Sequence, residues 1–153
     1  MSRLDGKRVA ITGAAGGIGT PVARMLREAG AHVTGIDRME CSACDASIVT
    51  DLSDDTQLAT LADRLAGDCP DVLVNVAGVM RFGLHESQPI EALALCYRVN
   101  LLVPAVLARA VAAPMRARGI SAPSWAPFLT PGSRPIRAAR PALPRLARAC
   151  AAR

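Results

Sequence analysis

Residues 12–19, TGAAGGIG, follow the apolar run of Val9, Ala10 and Ile11 without a break and lead straight into a segment of helical pattern at 18–29. Four glycines within those eight residues leave few folds open. A strand that stops abruptly and turns into a helix passes its backbone close to something, and glycine alone combines a free choice of φ with the absence of a Cβ. The start of the helix adds unpaired N–H groups and the positive end of a dipole. The close partner is therefore expected to be an anion, a phosphate above all.

The following hundred residues keep the alternation such a turn requires. Residues 7–12 read as a first strand. The helix at 18–29 spaces Ile18, Val22, Met25 and Leu26 on one face, takes Pro21 in its first turn and stops at Gly30. Residues 32–37 and 48–50 read as second and third strands. Ser53 is expected to cap a helix that turns Leu58, Leu61, Ala62 and Leu65 to one side and closes at Gly67. DVLVNVA at 71–77 is almost continuously apolar, as in a strand covered on both faces. Residues 87–118 read as one long helix, bent or interrupted near Pro104 and Pro114. Strands alternating with helices predict an α/β fold, a doubly wound parallel sheet with right-handed crossovers.

Charge divides the chain. Residues 1–119 hold 12 Lys+Arg against 13 Asp+Glu, whereas 120–153 hold six Arg, no acid and six of the 11 prolines. A proline-rich segment of that kind is unsuited to a central strand. The expected organisation is thus one domain at 1–119, whose glycine-rich turn is shaped for the phosphates of a dinucleotide, and a Pro/Arg-rich tail at 120–153; the resemblance its motifs carry implies that the domain is partial. The tail reads as disordered or as the product of a shifted reading frame. With synonymous codons chosen freely, a start at the third base of each codon lets 121–128 encode Arg-Ala-Val-Val-Gly-Ser-Ile and 135–142 encode Tyr-Pro-Arg-Ser-Lys-Ala-Gly.

Four stretches in order carry a resemblance to a known family. They are Thr12-Gly13-x-x-x-Gly17-x-Gly19 after the first strand, Asp51-Leu52 after the third, Asn75-Val76-Ala77-Gly78 at the end of the fourth, and Val99-Asn100 in the long helix. Together they resemble the short-chain dehydrogenase/reductase family over the first 119 residues, which implies a Rossmann-like fold cut short after the fourth strand and the long helix. The resemblance implies a dinucleotide held by Gly13, Gly17, Ile18, Gly19, Asp37, Asp51, Leu52, Asn75, Ala77 and Gly78, with Asn100 as the one catalytic position retained. Asp37 ends the second strand, placed for the ribose hydroxyls, and its charge opposes a 2′-phosphate, so NAD is favoured over NADP. Arg38 beside it works in the other direction. NVAGVMRFG at 75–83 is similar to members that form dihydroxybenzoate or act on hydroxysteroids, a pointer to a cyclic alcohol or ketone substrate.

Relatives of this kind use a serine on the fifth strand and a Tyr-x-x-x-Lys pair on the next helix, the lysine lowering the tyrosine pKa. This chain has one tyrosine, Tyr97, and one lysine, Lys7, and Ser121, Ser124 and Ser133 all lie in the tail. The expected protein is therefore an NAD(P)-dependent oxidoreductase by ancestry that is catalytically incomplete in this chain. A non-catalytic dinucleotide-binding or interaction protein is the alternative, and nucleic-acid binding through the arginine tail a further one. An uncovered fourth strand offers an edge for self-association.

Five scattered cysteines do not form a disulfide framework. Cys41-Ser42-Ala43-Cys44 has the C-x-x-C spacing of a redox or zinc half-site, but no second ligand pair follows, and no metal is expected. No run approaches the ~18 apolar residues of a membrane span and the first residues lack a leader's apolar segment, so a cytoplasmic protein without a membrane partner is expected.

Overall fold

In the computed structural model, which describes residues 4–120, four parallel strands form one sheet in the order β3-β2-β1-β4. The strands are β1 (Arg8–Thr12), β2 (His32–Asp37), β3 (Ala46–Val49) and β4 (Val72–Asn75), and the helices are α1 (Gly19–Glu28), α2 (Asp55–Asp68), α3 (Ile90–Tyr97) and α4 (Val103–Ala117). The expected tail falls, beyond Ile120, outside the described residues. The chain builds outward from β1 to β3 and then returns to lay β4 on the far side of β1. Thr12 ends level with Ile36 on one flank and Asn75 on the other. At such a reversal of strand order a crevice opens beyond the carboxyl ends of the strands.

Period-two alternation along the strands sorts the core into two layers. Val9, Ile11 and Val33 pack with Ala14, Ala23 and Ala31 under α1, where small side chains let the helix approach closely. Ala10 and Ile36 face the other way, onto Leu58, Leu61 and Leu65 of α2 and Val103, Leu107 and Val111 of α4. Ile11, Ile36 and Leu107 are wholly buried, each worth about 1.5–3 kcal/mol relative to exposure. β4, at the sheet edge among the described residues, has only half-buried side chains at 72–74.

Several element ends differ from the sequence reading: β3 runs over Ala46–Val49, β4 is shorter at Val72–Asn75, and the long helix begins at Ile90. Asp54, not Ser53, caps α2: its carboxylate accepts the Gln57 N–H at 2.8 Å, while the Ser53 N–H and hydroxyl both donate to Asp51. The helix runs through Gly67 and ends at Cys69, a non-glycine residue at φ 44°. Cys69 is held there because its carbonyl accepts from two guanidinium groups, Arg8 at 2.8 Å and Arg118 at 2.6 Å. The long helix is widened just before Pro104 by one loose turn, Arg98–Leu102, in which the Val103 N–H reaches back to the Arg98 carbonyl. Proline lacks the N–H that a regular ladder needs at 104 and crowds the preceding turn, whereas Pro114 stays inside α4.

Helical continuity across that turn corrects one further expectation. Ile90–Ala117 is a 28-residue helical run that contains an 18-residue window of mean hydropathy 1.6, long and apolar enough by length and composition to cross a membrane. The sequence hides this because Arg98, Asn100 and Arg109 interrupt the apolar residues. One stripe of the run, Val99, Val103, Leu107, Val111 and Met115, is buried in the fold.

Candidate functional site

The glycine-rich turn divides its work among its glycines. Gly13 lies at φ +71°, and a Cβ there would meet the Ala77 nitrogen at 2.6 Å. A Cβ on Gly19 would run into the Gly13 carbonyl. Both are needed for the protein to pack on itself. Gly17 is different: among the described residues a Cβ there would meet nothing within 4 Å, yet the residue lines the cleft above the strand ends. Its bareness serves whatever enters from outside. Thr12 and Thr20 brace the turn from below. The buried Thr12 hydroxyl accepts the N–H groups of Val76 and Ala77, each at 3.2 Å, and the Thr20 hydroxyl donates to the Ala14 carbonyl at 3.0 Å.

α1 begins at this turn with no side-chain cap and no acidic residue in its first turn. Among the described residues the N–H groups of Gly17 and Ile18 have no protein acceptor, and Pro21 brings none. Ile18, in the cap position, is 71% exposed. The positive end of the helix is thus open to the cleft, a ready site for an anion.

Acidic groups stand on the far side. Asp37, at the end of β2, accepts the Ala15 N–H at 3.0 Å through one oxygen and the Arg38 N–H at 2.7 Å through the other. Its carboxylate is fixed at the rim, with lone pairs left for hydroxyl donors. Asp51 accepts both the hydroxyl and the N–H of Ser53 at 2.7 and 2.8 Å, and these bonds, with a smaller contribution from the Arg38 guanidinium, hold its carboxyl below the usual range. Leu52 is buried beneath.

The opposite wall consists of Val76, Ala77, Gly78 and Val79, with Leu95 and Val99 from the long helix. Asn100 holds this wall rather than the cleft: its side-chain amide accepts the Val79 N–H and donates to the Val79 carbonyl, both at 2.8 Å. The wide turn that carries it is tied to the start of α2 by Arg98, which donates to the Ser53 carbonyl at 2.7 Å and pairs with Asp55.

A cleft of about 410 Å³ joins these walls and brings together Gly13, Gly17, Ile18, Gly19, Asp37, Asp51, Leu52, Ala77 and Gly78. Asn75 and Asn100 are not in its lining. Asn75 lies exposed at the end of β4, and the backbone that follows it is held by Thr12. Sequence reasoning missed Thr12, Ser53 and Met39. A threonine as the last strand residue before the glycines was the available signal for the first, and a serine two residues after Asp51 for the second.

The residues present fit a dinucleotide: a glycine with open space above it, a helix start without a cap, and a fixed carboxylate share a cleft within the usual ligand range of ~300–1,000 Å³. A family model described as short chain dehydrogenase matches residues 7–121, well over half of the chain. The chain is 37% identical over 102 residues to the 2,3-dihydro-2,3-dihydroxybenzoate dehydrogenase of Escherichia coli, covering 64% of this chain and 41% of that protein. Among solved structures, a proposed NAD(P)-dependent gluconate 5-dehydrogenase from Beutenbergia cavernae with bound NADP is 31% identical at TM-score 0.70, covering 76% of this chain and 51% of that one. A 4-hydroxyisoleucine dehydrogenase complexed with NADH is 26% identical at TM-score 0.68, covering 76% and 52%. The chain spans about half the length of the curated relatives it matches.

Proposed function

The chain belongs to the short-chain dehydrogenase family, and from that premise we propose that it binds a nicotinamide dinucleotide, NAD in preference to NADP, in the cleft beyond the ends of β1 and β2. The observation that carries this reading is the pairing of an uncapped helix start at Gly17 and Ile18 with the fixed carboxylate of Asp37. The first suits a pyrophosphate, the second the two hydroxyls of an unphosphorylated ribose. Arg38, the residue that could favour NADP, is close enough to Asp51 to lower its pKa. That proximity gives its guanidinium a resident counter-charge and supports NAD.

When bound, a nicotinamide dinucleotide supplies hydride chemistry. This chain's residues supply binding and orientation, and we propose that they supply no proton transfer. Lys7 precedes β1, at the end of the sheet opposite the cleft, roughly 16 Å away along a five-residue strand. Tyr97 is 66% exposed and outside the cleft lining. General acid–base help is worth ~10²- to 10⁴-fold, and among the described residues neither the tyrosine nor the lysine reaches the cleft to give it, while the Asn100 amide neither gives nor takes a proton. The 153-residue chain is thus proposed as a dinucleotide binder of oxidoreductase ancestry. Cyclic secondary alcohols or ketones are the proposed substrate class of the lineage, supported by the dihydroxybenzoate-forming relative and by residues 75–83. A cytoplasmic location and self-association through the β4 edge belong to the same proposal. The latter rests on the edge position of β4 and the exposed Phe82, Leu101 and Leu102.

The test is an NADH absorbance assay over a panel of cyclic and secondary alcohols, with Tyr97→Phe as control. No rate above background is expected from either protein. Turnover that disappears in Tyr97→Phe would make Tyr97 the proton carrier and refute the non-catalytic reading.

A further inference from the structure

The C-x-x-C stretch is left unused by the dinucleotide reading, yet it lies directly behind the glycine-rich turn. We infer that Cys41 and Cys44 form a reversible dithiol/disulfide site whose closure withdraws a hydrogen bond from that turn.

The backbone is already shaped for the bridge. The Cys44 N–H donates to the Cys41 carbonyl at 3.1 Å, closing a four-residue turn. Such a turn brings its first and last Cα atoms within about 7 Å, the upper limit of what a disulfide spans. Cys41 is buried and Cys44 half-buried, so a small oxidant meets Cys44 first.

The sulfurs also touch the turn. Cys41 Sγ donates to the Ala14 carbonyl at 3.2 Å, and Ala14 is wholly buried. A Cβ on Gly35 would meet Cys44 Sγ at 2.7 Å and Ala14 Cβ at 2.9 Å, so the thiol and the turn pack against one bare strand position. The segment carrying the cysteines is fixed on both sides. The Cys41 N–H donates to the Ser47 hydroxyl at 3.1 Å, Arg27 donates to the Ala43 carbonyl at 3.2 Å, and Asp45 accepts the Val33 N–H at 2.8 Å. Drawing the sulfurs to the ~2.05 Å of a covalent bond therefore moves side chains rather than backbone. It takes the S–H from Ala14 and leaves the Thr20 hydroxyl as the side-chain donor there.

With a peroxide as oxidant the chemistry balances. The Cys44 thiolate attacks one peroxide oxygen, the O–O bond breaks, and a sulfenic acid and hydroxide form, the hydroxide taking up the thiol's proton as water. The Cys41 sulfur then attacks the Cys44 sulfur. The S–S bond forms, the S–O bond breaks, and the Cys41 proton leaves with the oxygen as a second water. A dithiol reductant returns both thiols by exchange. Burial, the Cys41 thiol and the Asp45 carboxylate push the Cys44 thiol up to about 12, and Arg27 opposes them. His32 Nδ1 lies 3.3 Å from the Asp45 carboxylate. The thiolate is scarce at neutral pH, so bridge formation should accelerate as pH rises from 7 to 9, by up to roughly tenfold per unit.

The experiment treats the full 153-residue chain with hydrogen peroxide and reads intact mass, the position of the bridge by peptide mapping, and hydrogen exchange over 13–20. None of these readouts depends on dinucleotide binding. A monomer about 2 Da lighter is expected, bridged between Cys41 and Cys44 and restored by a dithiol. Exchange over 13–20 should be roughly two- to fivefold faster, the scale of one weak hydrogen bond. Cys44→Ser and Cys41→Ala should each abolish the mass change. The inference fails if no bridge forms, if the bridge involves Cys69, Cys96, Cys150 or a second chain, or if the bridge forms and exchange over 13–20 is unchanged.

Discussion

Two helices of this molecule start beside the same cleft and start differently. At α2 the Asp54 carboxylate takes the Gln57 N–H, Asp55 adds a second negative charge to the first turn, and Arg98 covers that charge from outside. The helix start is closed by the protein. At α1 the cap position is Ile18, the first turn carries no acid, and Gly17 has open space where a side chain would stand. A capped start is worth about 1 kcal/mol, so an uncapped one beside a cleft is a cost that bound phosphate would offset. The contrast separates residues that make the fold from residues that leave room for a ligand, although both sorts lie in the same motif.

The comparison can be broken most severely at Gly13. Gly13→Ala places a Cβ against the Ala77 nitrogen at a φ of +71°, so a loss of several kcal/mol is expected, roughly the scale of strain plus overpacking. Circular dichroism should show a chain that no longer unfolds cooperatively, and a variant with wild-type Tm would remove Gly13 from the packing group. Next comes Ile18→Asp, which gives α1 the acid that α2 possesses. Stability should hold or rise slightly, while NAD affinity falls on the order of 100-fold as carboxylate and phosphate compete for one dipole. Unchanged affinity by titration would show that the α1 start does not bind the ligand. Asp54→Ala is the mirror experiment: about 1 kcal/mol lost in denaturant unfolding, with NAD affinity unaltered.

The smallest effect, group by group, is expected in acid. Asp45 and Asp71 have carboxyls held below the usual 3.8, first by backbone N–H donors at Val33 and Arg8, then by Arg27 and Arg118 respectively. Asp51 is held low by Ser53. A depressed folded pKa contributes stability that is present above 3.8 and lost as pH falls through the lower folded values. Tm should therefore stay level down to about pH 4 and decline below it. Asp45→Asn and Asp71→Asn should each flatten part of that decline.

The parallel α/β fold and most of the residues that line the cleft were legible in the sequence because each rests on a local pattern: an apolar run in β1, helical spacing in α1, a glycine cluster between them. What escaped depended on competition among neighbours. Ser53 and Asp54 are both good caps, and which one serves is decided by Asp51, which engages the serine first. Gly67 is the expected stop, but two arginines distant in sequence hold Cys69 in the left-handed region instead. Asn75 matches a motif, yet whether its side chain meets the cleft depends on the pleat at the end of β4, where Val76 and Ala77 turn inward and Asn75 does not. The membrane-length run was hidden because charged and amide residues, from Glu91 to Arg116, break it in one dimension, and helical geometry places them clear of the buried stripe.

Calorimetric titration of wild type and Gly17→Ala with NAD and NADP tests the central claim most directly. A Cβ at Gly17 meets nothing within 4 Å among the described residues, so the variant should keep the wild-type Tm while losing roughly tenfold or more in NAD affinity to a side chain standing where the pyrophosphate is proposed to lie. Wild type is expected to bind NAD weakly and NADP more weakly still. No heat with either dinucleotide from folded wild-type protein, or a Gly17→Ala variant that binds NAD as wild type does, would contradict the account.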